Sequence, residues 1–111
     1  MIDQGDHVNA GQLYAAAVNA YSQVALYWVG LGYCAAKGGR KDESVMHHRR
    51  AVELEPHSYL HLNDLGYSLM DAGQYDEAEG VLQRAAQLAP PDYDLARGNL
   101  EYLRKVRSEE P

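Results

Sequence analysis

Four histidines, His47, His48, His57 and His61, fall within 15 residues, and His57 and His61 stand four apart. Two imidazoles at that spacing on one helix share a face and can hold one metal ion. Pro56 and the cap-like Ser58 intervene, however, which sets His57 outside the helix that carries His61. No HExxH motif and no companion thiolate accompany them, so no metal is expected. The single cysteine, Cys34, sits among apolar neighbours and reads as a small buried hydrophobe rather than a reactive thiolate. One cysteine also excludes an intramolecular disulfide and any CxxC motif. The acid pairs Asp42-Glu43 and Asp76-Glu77 stand near the starts of helical segments. Negative charge there is favoured by the helix dipole, which explains both pairs without acid–base chemistry. Gly38-Gly39 lacks a following GK[ST] and is no phosphate loop. Neither a catalytic constellation nor a cofactor is expected, and the chain reads as a non-enzyme.

The 111 residues suffice for one domain, and 46% hydrophobic content with four prolines describes a globular chain. Ten Lys and Arg against 16 Asp and Glu give a net charge of −6. Nucleic acid is thereby disfavoured as a partner, since backbone binding needs a basic stripe that releases counterions. The opening MIDQGDHVNAG has no basic region followed by an apolar run and is not expected to be a signal peptide. The longest apolar stretch, Val24 to Ala36, is broken by Gly30 and Gly32 and reads as a buried helix rather than a membrane span. A cytoplasmic location is the expectation.

What positions these residues is a repeat. Residues 25–58 and 59–92 align without a gap and match at 11 of 34 positions. Leu31-Gly32-Tyr33 falls on Leu65-Gly66-Tyr67, Gly39 on Gly73, Asp42-Glu43 on Asp76-Glu77, Ala51 on Ala85, Leu54 on Leu88 and Pro56 on Pro90. Each unit reads as two helices. In the second, Leu62, Leu65, Leu69 and Met70 recur at helical spacing until Asp71-Ala72-Gly73 interrupts. Tyr75, Ala78, Leu82, Ala85 and Leu88 then line another helix, which Pro90-Pro91 stops. Gly73 suits the left-handed position after a helix. Gly66, mid-helix, costs about 1 kcal/mol of propensity, so a close approach by the partner helix is expected there.

The spacing resembles the tetratricopeptide repeat, whose signature runs W-x₂-L-G-x₂-Y, then small and aromatic positions, then Pro. Trp28, Leu31, Gly32, Ala51 and Pro56 carry it in the first unit. Leu62, Leu65, Gly66, Leu69, Ala78, Leu82, Ala85 and Pro90 carry it in the second. Ser44 and His48 depart from the expected small and large apolar residues, and Lys41 replaces the aromatic found as Tyr75. Helix 41–54 is accordingly expected to be the least stable. His48 holds a core place in the register, so burial should lower its pKa and loosen the first repeat in mild acid.

The resemblance implies an all-α, right-handed solenoid of about six antiparallel helices in a single domain spanning residues 1–111. In the same register Gly5 falls on Gly39, Ala10 on Ser44, Tyr14 on His48 and Ala17 on Ala51. Residues 8–21 thus form a half repeat whose first helix is missing, followed by repeats 25–58 and 59–92. A capping helix spans 93–107, with Asp92 as its cap and Ala96, Leu100, Leu103 and Val106 on its buried side. Solenoid ends need polar caps. The helix over 8–21 instead carries Val8, Leu13, Tyr14, Ala17, Val18 and Tyr21, and self-association through it is one expectation.

In this family the first helices of the repeats line a concave groove that binds a peptide or a helix. The matching places are Leu26, Val29, Tyr33 and Lys37, then Asn63, Tyr67, Met70 and Asp71, then Arg97, Glu101 and Arg104. Tyr33 and Tyr67 hold one place in successive repeats and are natural anchors. Some members clamp a terminal carboxylate with Lys, Asn and Arg; the corresponding places here hold Val29, Tyr33, Asp64 and Asp94, so that clamp is lacking. The resemblance implies a protein-binding adaptor, assembly factor or small chaperone. A self-associating building block is the alternative.

Overall fold

A computed structural model describes residues 4–110 of the chain, and the first three residues of the opening segment lie outside it. Six α-helices and no strands are found among the described residues: α1 Gln4–Ala20, α2 Ala25–Lys37, α3 Lys41–Leu54, α4 Tyr59–Asp71, α5 Tyr75–Leu88 and α6 Leu95–Ser108. Helix α1 begins earlier than the half-repeat register implies, so Gly5 lies inside a helix rather than in a turn. At the other end α6 begins at Leu95, and Asp94 rather than Asp92 occupies the cap position, without a capping side-chain bond. Tyr93, expected to open this helix, instead lies in the preceding turn, its ring 4.7 Å from that of Tyr59 in an edge-on contact.

The two full repeats turn by the same chemistry. Gly39 and Gly73 both have φ of 79°, a region where a Cβ is strained. At each turn paired backbone bonds close the helix end: Gly39 N to Ala36 O and Arg40 N to Ala35 O, then Gly73 N to Met70 O and Gln74 N to Leu69 O. Ser58 opens α4 by accepting a bond from the His61 amide at 3.2 Å.

Each helix packs on its neighbours in the chain, and α4 also touches α2 on one side and α6 on the other in a second row. That alternation makes a solenoid, and the row α2, α4, α6 is the inner one, lining the concave groove. The apolar core is uneven. Its large members, Leu65, Leu69, Leu82, Leu100 and Leu103, lie in α4, α5 and α6. Burying each such side chain contributes about 1.5–3 kcal/mol. Between α2 and α3 the buried residues are small or polar: Cys34, Ala35, Ser44, His48 and Ala51.

One residue of each outer helix explains the mid-helix glycines. A Cβ on Gly66 would lie 2.6 Å from the Leu82 side chain, and a Cβ on Gly32 would lie 2.7 Å from His48 Nε2. Tyr14 occupies the same register place in α1, and no helix precedes α1 among the described residues. Its ring seats on the following helix instead, where a Cβ on Gly30 would meet it at 2.4 Å. Val8 and Leu13 of α1, and Tyr21 just after it, are exposed.

Candidate functional site

The inner row encloses an open groove of about 480 Å³ between α2, α4 and the start of α6. Six of the residues marked by the repeat register line it: Val29, Tyr33 and Lys37 from α2, and Asn63, Tyr67 and Asp71 from α4. Tyr33 and Tyr67 are about half exposed, at 48% and 54%, which leaves both rings area to give a ligand. Lys37 stands over the Tyr33 ring, its Nζ 5.3 Å from the centroid, and so leans along the groove wall. Asp71 faces Lys41 of α3 at 3.7 Å.

Five register residues lie elsewhere. Leu26 belongs to a neighbouring depression with Tyr14, Tyr27 and Gly30. Met70 is buried in the core with Leu69 and Leu103. Arg97 donates to the Pro91 carbonyl at 3.1 Å, Arg104 approaches Glu79 of α5 at 4.0 Å, and Glu101 is solvent-exposed. Helix α6 meets the groove instead through Leu95 and Asn99, one turn apart. Asn99 donates from Nδ2 to Asn63 Oδ1 at 3.0 Å and ties the capping helix to α4.

The floor holds residues that a rule confined to first helices misses. Ser44 and His48 reach it from α3, and Ser68 Oγ donates to Ser44 Oγ at 3.0 Å across the buried seam. Ser44 occupies the small position filled by Ala78 in the next repeat, and His48 the apolar position filled by Leu82. These polar substitutions within an apolar register were the available signal. His48 is 6% exposed and its Nδ1 has no hydrogen-bond partner. Burial, reinforced by the His47 and His61 imidazoles, lowers its pKa to about 4.

Asp64 completes the lining. Burial raises its carboxyl above the ordinary range, opposed by His61. No cation lies within ion-pair distance of it among the described residues. Cys34, 1% exposed, has its thiol pushed up by burial, which disfavours the nucleophilic thiolate. His57 lies outside α4 and His61 inside it, and the described residues contain no cluster of three metal-ligating side chains. No described helix is long and apolar enough to cross a membrane. A second depression, lined by Ala10, Leu13, Tyr14, Ala17, Tyr21 and Tyr27, opens beside α1.

The family profile of the tetratricopeptide repeat matches residues 62–92, the core of the second unit. No curated protein matches the sequence. Solved structures share the whole architecture at low identity. The tetratricopeptide domain of Sgt2 from Aspergillus fumigatus superposes with a TM-score of 0.86 at 17% identity, covering 96% of this chain and 75% of that one. The type III secretion chaperone SycD of Yersinia enterocolitica, in complex with a peptide of the translocator YopD, gives 0.81 at 19% identity over 95% of this chain and 84% of that one. The second tetratricopeptide domain of human RPAP3, in complex with an HSP70 peptide, gives 0.82 at 18% identity over 90% of this chain and 82% of that one. Residues 62–92 match the tetratricopeptide repeat, and the superpositions show that the described residues share the all-α solenoid fold of tetratricopeptide domains.

Proposed function

We propose that this chain is a non-catalytic protein-interaction module, an adaptor, assembly factor or small chaperone of the cytoplasm, that takes a peptide or an amphipathic helix in its concave groove. The observation that carries this reading is the pair Tyr33 and Tyr67. They stand in equivalent positions on successive inner helices, half exposed on either side of a groove with a polar floor. Rings so placed supply rigid contact area at little entropic cost, and their hydroxyls remain free to bond a ligand's backbone. Two structures of this fold hold peptides, which accords with the same use of the groove here. The groove needs no cofactor for such work, and the excess of acid over base accords with a protein partner rather than nucleic acid.

Affinity capture from host extract, with wild type beside the Tyr33→Ala/Tyr67→Ala variant, tests the reading once circular dichroism has established that the variant keeps its helicity. A partner held by wild type and lost by the variant is the expected result. A partner held equally by both would move the working surface off the groove.

Self-association through α1 is a second reading, favoured by the 73% exposure of Leu13 and the 64% exposure of Tyr21 beside the α1 depression. It requires a mass that rises with concentration in sedimentation and falls back to the monomer for Leu13→Glu.

A further inference from the structure

The groove wall carries one carboxylate that has no ion-pair partner among the described residues. Asp64 stands on α4, facing the space between α4 and α6, with the Tyr67 ring one turn further along. The other charged groups lining this groove are engaged: Lys37 lies over Tyr33, and Asp71 faces Lys41. Arg97 of α6 donates to the Pro91 carbonyl. A partly buried carboxylate without a counter-charge is costly, and a ligand cation that reaches it recovers the lost solvation. Its surroundings answer it only in part: the His61 imidazole favours the ionised carboxyl but turns its Nε2 to Glu55 at 3.1 Å, and the neighbouring Tyr93 hydroxyl is pushed up by its own burial and then by Asp64. Beside the carboxylate the lining turns apolar and aromatic, with Leu95, Tyr67 and Val29.

Resting on the groove reading above, we infer that the groove selects a segment bearing a lysine or arginine side chain next to apolar residues, the cation seated on Asp64 and the apolar flank on Tyr67 and Tyr33. The ligand charge is thus opposite to that of a segment recognised by its carboxylate. The Asn63–Asn99 pair at the same end offers amide groups to the ligand backbone.

The test is a display selection of random 12-residue peptides on the full chain, followed by anisotropy measurements with individual synthetic peptides. The expected result is enrichment of peptides with one Lys or Arg at fixed spacing from apolar residues. Their affinity should fall about tenfold or more with Asp64→Asn, and by a similar factor when the peptide lysine becomes norleucine. Binding should also weaken as salt rises. Asp71→Asn, whose carboxylate already faces a lysine, should change affinity far less. The norleucine peptide and the salt series use wild-type protein, so they hold even if a variant folds poorly. Peptides without a basic residue, or binding unmoved by Asp64→Asn yet lost with Tyr33→Ala/Tyr67→Ala, would overturn the cation inference and leave the groove reading standing. Peptides indifferent to both substitutions, or no enrichment at all, would overturn the two together.

Discussion

Protonating His48 should unfasten the first repeat, and the size of the effect follows from its burial. The ring packs on the bare backbone of Gly32 and is 6% exposed, with a pKa of about 4 in the folded chain. In the unfolded chain a histidine titrates near 6.5. Between those values the unfolded state binds more protons, so stability is full above about pH 6.5 and is lost as pH falls toward 4. The linkage amounts to about 2 kcal/mol at pH 5 and about 3 kcal/mol below pH 4. That is a large share of the roughly 5–15 kcal/mol that holds a domain of this size. The groups packed around His48 act in the same direction, because His47 beside it and His61 on α4 both oppose a further positive charge. Carboxylates titrate in the same window, so the useful quantity is a difference between proteins. His48→Leu provides it, since Leu82 occupies the equivalent place over Gly66 in the next repeat and shows that leucine fits. Thermal unfolding followed by circular dichroism from pH 7.5 to 5 should show the midpoint gap between His48→Leu and wild type widening by about 8 °C as pH falls. A gap that stays constant, or that narrows, would refute the reasoning.

Three further outcomes follow from the packing. Gly66→Ala places a Cβ 2.6 Å from Leu82. It should lower stability by about 1–3 kcal/mol in urea unfolding despite alanine's better helix propensity. Gly73→Ala forces a side chain into φ of 79° in open space. It should cost about 1–2 kcal/mol, with no loss of packing and hence an unchanged denaturant slope. Arg49→Ala removes the two-bonded contact to Glu77 that joins the outer helices α3 and α5. Both side chains are more than 40% exposed, so the loss should stay below about 1 kcal/mol and shrink in high salt.

The repeat register made most of this architecture legible, because a 34-residue period fixes both the turns and the contacts that recur. Gly39 and Gly73 fall where the chain must turn left-handed, and the residue sixteen beyond Gly32 or Gly66 is the one that packs on it. The register misleads where a helix lacks the neighbour that the period assumes. Among the described residues no helix follows α6, so Arg97, Glu101 and Arg104 have no further inner helix there to face. Arg104 turns to Glu79 while Leu95 and Asn99 meet the groove. Tyr93 lies in the turn with its ring against Tyr59, and α6 starts at Leu95. Met70 sits beside groove residues along the chain, yet its side chain points into the core, a matter of one helical step of 100°. The floor contributed by Ser44 and His48 was marked in the sequence only as a departure from the family pattern. Its hydrogen bond to Ser68 is a three-dimensional fact that no spacing encodes.

The central claim is that the concave face does the work, and site-specific photo-crosslinking in the host cell tests it most directly. A photoreactive phenylalanine analogue would replace Tyr67 in the groove, Met46 on the outer helix α3, or Leu13 on α1, all of them exposed positions. The account predicts one discrete crosslinked partner from position 67, weakened by Tyr33→Ala, and none from position 46. A partner captured from position 46, or only a second copy of the chain captured from position 13, would contradict it.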